Sequence, residues 1–137
     1  MRIGLLAWTV VCMAVVGIVF AAGSAAAAES SFPFGRELIL DAQPMKGSKR
    51  VPVLDIAEDG TAEIDLLCAT LQGQVVVASD TITILMGQRT ERQCSPEQAK
   101  SDDDMIAALT QVTTWRRDGD NVVLVGPAQL QFRIPSN

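Results

Sequence analysis

From residue 36 onward the chain alternates apolar and polar side chains in short runs, the pattern of half-buried strands. Residues 36–41, 51–58, 61–68, 71–78, 81–87, 113–117, 122–126 and 128–134 follow this period or are compact β-branched runs, and each predicts a strand. In 61–68, Ala62, Ile64, Leu66 and Cys68 share one face, opposite Thr61, Glu63 and Asp65. In 128–134, Leu130, Phe132 and Ile134 oppose Gln129, Gln131 and Arg133. The breaks carry turn chemistry. Asp59-Gly60 joins the second and third runs as a hairpin, Ser79-Asp80 the fourth and fifth, and Asp118 to Asn121 the sixth and seventh. Residues 42–50 hold Pro44, Gly47 and Ser48 and read as a loop with solvated Lys46, Lys49 and Arg50.

The period changes once. Met105, Ile106, Leu109 and Val112 form a single apolar stripe at helical spacing. Two start signals compete: Ser95-Pro96-Glu97, and Ser101 before the acidic Asp102-Asp103-Asp104. The pattern predicts a helix over about 102–112, with a turn at 96–99 before it. About eight strands with local connections and one helix predict a mainly β (α+β) fold. Its sheet is antiparallel and curled into a barrel, with the helix packed against it or closing one end.

The first 28 residues are of another kind. Arg2 gives a positive start, residues 3–22 are apolar without a charge, and a small-residue run from Gly23 to Ala28 precedes Glu29. This predicts a signal peptide cut between Ala28 and Glu29, Ala26 and Ala28 having the spacing a signal peptidase reads, with a cut after Ala26 as the second choice. The periplasm is the expected location. The alternative is an uncleaved anchor in the inner membrane, since about 20 apolar residues also span a bilayer. Residues 29–35 then read as a short tether, 36–134 as one domain and 135–137 as a tail.

Composition narrows the function. Arg2 is the one charged residue removed with the signal, so the formal charge moves from −5 to −6 over the remaining 109 residues. Such a surface repels phosphate backbones, which argues against nucleic acid, and limits membrane contact to an uncleaved signal segment. A monomer is expected. Histidine and tyrosine are absent, removing the usual general base near neutral pH and the commonest transition-metal ligand. Cys12 leaves with the signal. Cys68 and Cys94 remain, and in an exported chain they are expected to form a disulfide. Without histidine they do not make the ligand set of a zinc site. Arg89, Glu91 and Arg92, leading into Cys94, are candidates for an interaction surface, and Trp115 for an exposed contact or a rim aromatic. Asp102-Asp103-Asp104 lacks the glycine and glutamate that a calcium loop requires. No metal, cofactor or catalytic residue is expected.

Four segments carry a family resemblance. "CATLQGQV" (68–75) resembles the C-N-x-x-x-G-x-Y segment of the META domain family (DUF306), the group of the bacterial heat-shock protein HslJ. "TERQC" (90–94) is similar to that family's T-x-x-x-C segment, and the acidic helix ending in Leu109 and a closing "LQF" (130–132) fall in the family's order. Ala69 and Val75 stand where the family has Asn and Tyr. The resemblance implies a lipocalin-like eight-stranded barrel or strongly curled sheet, an exported or envelope setting, and a link to stress or antibiotic tolerance in some members, and it implies no catalytic reaction. The leading expectation is a non-enzymatic protein acting by binding or interaction. Two alternatives stand beside it. One is an inhibitor or partner of an envelope protease, presenting residues 42–50 and 87–101 as loops. The other is a carrier of a small apolar ligand inside the barrel.

Overall fold

The computed structural model describes residues 31–136. The expected signal peptide and its Ala28–Glu29 junction lie outside the described residues. Among those described, the chain forms strands β1 (Glu37–Leu40), β2 (Val53–Ile56), β3 (Thr61–Asp65), β4 (Ala69–Ala78) and β5 (Thr81–Glu91). Helix α1 (Pro96–Thr110) follows, then β6 (Thr114–Asp118), β7 (Asn121–Val125) and β8 (Gln129–Arg133). Each strand pairs antiparallel with the next, and β8 returns to β1 through Ile39–Arg133 and Leu40–Phe132. The result is the expected closed, eight-stranded antiparallel barrel.

Local chemistry sets the hairpins. Between β2 and β3 the Gly60 N–H donates to the Ala57 carbonyl at 2.9 Å, and the Ala57 N–H to Thr61 at 2.9 Å. Gly60 supplies the φ of 84° that closes this three-residue turn. Along β4 and β5, Leu71 faces Arg89 but Gly73 faces Met86, so β5 carries one extra residue. Gly87 makes this bulge fit, because a Cβ there would sit 2.8 Å from the Gln72 carbonyl oxygen. Beyond the bulge β5 runs on to Glu91, past the expected end at residue 87.

The helix needs a correction. It starts at Pro96, not near residue 102, and ends at Thr110. The first of the two competing start signals prevails because it completes a capping box. The Ser95 hydroxyl accepts from the Gln98 N–H at 3.3 Å, and the Gln98 side chain accepts from the Ser95 N–H at 3.3 Å. Proline at the first position loses no hydrogen bond there. β5 pairs with β6 only at Thr81–Thr114. The helix leaves the far end of β5 and returns where the Thr113 carbonyl accepts from the Ile82 N–H at 3.0 Å. It therefore runs back along β5 and covers the edge that β6 leaves open.

The barrel interior is filled. Leu38, Leu54, Ala62, Ile64, Val122, Leu124 and Phe132 have no exposed surface, and Leu109 of the helix joins them. The alternation read from the sequence is thus an inside–outside alternation. Residues 31–35, expected as part of a tether, are a second correction. Phe32 enters this core and Phe34 packs against it, while the Gly35 N–H donates to the Ile56 carbonyl at 2.7 Å. Apolar burial holds a segment that has no strand periodicity.

Candidate functional site

The two ends of the barrel differ. The helix end carries the β1–β2, β3–β4, β5–α1 and β7–β8 connections. The opposite mouth carries the 31–36 segment and three hairpin turns.

At the helix end a disulfide joins Cys68 to Cys94, with their Cα atoms 5.8 Å apart. Cys68 is buried in the β3–β4 connection, just before β4, whereas Cys94 is exposed in the link between β5 and the helix. Arg92 braces the same place. Its N–H donates to the Cys68 carbonyl at 2.6 Å. Its guanidinium donates to the Leu66 carbonyl and the Thr70 hydroxyl, each at 2.7 Å, and to Asp65 Oδ1 at 3.0 Å. Asp65 also receives Arg50 at 3.3 Å and the Thr70 hydroxyl at 3.0 Å.

Asp102 approaches from the other side and is the residue that sequence reasoning missed. It is 1% exposed, the buried charged side chain among the described residues. Its Oδ1 accepts the Leu67 N–H at 2.9 Å and its Oδ2 the Cys68 N–H at 2.6 Å. The β3–β4 connection is thus held by a carboxylate, a guanidinium and a disulfide together. The signal was present: Asp102 lies seven positions before Leu109 and shares its inward stripe.

The rest of the acidic triplet points elsewhere. Asp103 pairs with Arg89 at 3.0 Å, and Arg89 also pairs with Glu91 at 3.0 Å. Asp104 pairs with Lys100 at 2.7 Å, and that hydrogen bond raises the lysine's pKa. These acids sit in the body of the helix; Glu97 occupies its first turn. Arg89, Glu91 and Arg92 therefore act on this chain's own helix and β3–β4 connection. Residues 87–101 are not a loop: strand β5 runs to Glu91 and the helix begins at Pro96.

Trp115 lies at the opposite mouth, so the structure does not bring it to the three charged candidates. It is a buried rim aromatic. Its indole N–H donates to the Ser79 carbonyl at 2.8 Å, holding the β4–β5 turn where Ser79 takes a φ of 58°. Its N–H donates to the Asp80 carbonyl at 2.9 Å. Phe32 meets the indole edge-on at 5.0 Å and 84°, and Phe34 lies 4.9 Å from Phe32. These aromatics and Val77 floor a recess of about 510 Å³, rimmed by Ser31, Ser79, Asp80, Arg116 and Arg117. A second recess of about 530 Å³ lies at the helix end, between Met45, Lys46 and Gly47 and the helix start at Ser95, Glu97 and Gln98.

A family model, the META domain, matches residues 36–134. No curated protein matches the chain. A crystal structure of a DUF4847 family protein from Bacteroides vulgatus superposes with a TM-score of 0.51 at 17% identity, covering 60% of this chain and 57% of that one. The chain thus spans less than two thirds of that protein's length. A protein solved by NMR superposes with a TM-score of 0.55 at 12% identity, covering 73% of this chain and 89% of that one. At these identities the likeness concerns the fold alone.

Proposed function

The chain belongs to the META domain family, and from that premise we propose an exported protein of the bacterial periplasm that supports envelope stress tolerance by binding, without catalysing a reaction. The observation that carries this reading is the filled barrel. Leu54, Ile64, Leu124 and Phe132 occupy the interior, so the outer surface is what remains to meet a partner. Two of the charged groups hold the fold: both oxygens of Asp102 accept backbone N–H groups, and Arg92 reaches three acceptors. The Cys68–Cys94 disulfide and the apolar 3–22 run support export to an oxidising compartment.

Of the two alternatives, the carrier asks for a hollow lumen, and the packed interior speaks against it. The protease partner keeps only residues 42–50 as a protruding loop. Affinity isolation of the native protein, with mass spectrometry of proteins and lipids together, tests the reading. A protein recovered near the bait's abundance is the expected result; recovery of neither class overturns it. Intact mass of the isolated bait should correspond to a chain starting at Glu29 and lacking two hydrogens. Retention of residues 1–28 would place it in the membrane instead.

A further inference from the structure

We propose that the recess at the open mouth is a ligand site for a compact apolar molecule carrying one negative charge. This rests on the reading that the protein works by binding, and it names where and what. A recess of about 510 Å³ is of the size that takes a small organic molecule. Its floor is built beforehand: Phe32, Phe34 and Trp115 are locked by edge-on and tilted ring contacts, and the indole is pinned to the Ser79 carbonyl. A ligand therefore meets a fixed apolar surface and pays little to order it.

The rim sets the charge. Arg116 and Arg117 both line it. Among the described residues neither forms an ion pair, as Arg36, Lys46, Lys49 and Arg133 also do not, whereas Arg50, Arg89, Arg92 and Lys100 do. Arg117 is oriented by its Nε–H donating to the Gly119 carbonyl at 2.9 Å, which leaves its terminal nitrogens for an anion. Asp80 stands on the same rim. Two arginines and one aspartate on the rim leave one net positive charge, which favours a single negative charge on the ligand. On a domain of net charge −6 this is a place where an anion with an apolar body is attracted by both of its parts. An aliphatic and an aromatic carboxylate share this chemistry, and the experiment separates them.

Trp115 is the tryptophan of the processed chain and reports directly on the site. Its emission is followed while the oxidised protein is titrated with decanoate, 4-phenylbutyrate, decanol and decyl phosphate. At least one carboxylate should saturate the signal about tenfold more tightly than decanol, and decyl phosphate should bind more weakly than decanoate. Which carboxylate is the tighter identifies a chain or a ring as the apolar part. In Arg116→Gln/Arg117→Gln, two exposed changes that leave the core intact, carboxylate and alcohol should bind alike. In Phe34→Ala both should weaken. No saturable change with any probe overturns the proposal, as does a carboxylate preference that survives the double arginine variant. A protein partner still captured by a bait that binds none of these probes sinks the ligand site alone and leaves the binding reading standing.

Discussion

Asp102 shows how a single side chain can be misread. Its position before Met105 and Leu109 puts it on the inward stripe, yet two acidic neighbours make it look like part of a charged helix start. Burial decides its role, since a carboxylate accepting two backbone N–H groups satisfies donors that water does not reach. Asp102→Ala leaves both donors unpaired and should cost about 2–4 kcal/mol in denaturant titration. Asp104→Ala, at an exposed helix pair, should change stability by less than about 0.5 kcal/mol. A similar cost for the two would refute the assignment. Asp59 gives the pH counterpart. Its carboxyl is held below the ordinary value of 3.8, mainly by the Thr61 N–H at 2.9 Å. A depressed carboxyl stabilises the fold above its unfolded pKa and loses that contribution as pH falls through its folded value. An NMR titration should find Asp59 ionised at acidities where exposed aspartates are already protonated, and Asp59→Asn should remove that acid-side slope.

At the level of elements, strands with strict alternation were legible and those with mixed demands were less so. β3 buries Ala62 and Ile64, β8 buries Phe132 and half-buries Leu130, and both strands stand where the pattern puts them. The pattern ends β5 at residue 87 because Gln88 to Glu91 are polar and exposed and the bulge resets their phase. The helix start was displaced because residues 97–101 carry no apolar stripe; only the cap marks the true beginning. Ser95→Ala should therefore lower stability by about 1 kcal/mol, and Ser101→Ala by much less. Equal effects would restore the later start. The crosslink spans 26 positions, so Cys68→Ala/Cys94→Ala should lose about 3–4 kcal/mol on the chain-entropy account. An unchanged denaturation midpoint would show that Arg92 and Asp102 suffice to hold the β3–β4 connection.

For the molecule as a whole, the sequence gives the barrel but not its stopper. Phe32 sits beyond Pro33 with no periodic neighbours, so nothing in the pattern reveals that it belongs to the core. A chain beginning at Arg36 should melt at lower temperature, losing about 2–4 kcal/mol for the missing aromatic burial, and Phe32→Ala should reproduce most of that loss. The closure of β8 on β1 has a further consequence, for the order in which the molecule is made. Arg36 and Pro135, 99 positions apart, end side by side. Emerging amino end first, β1 pairs with β2 on one edge early, but its other edge waits for the last strand of all. Contacts of such separation form slowly. Until then Glu37–Leu40 and Asn121–Val125 each offer an unpaired edge to any neighbouring chain. A ribosome or translocon that pauses before residue 129 lengthens that interval, and yield becomes a matter of how briefly the seam stays open.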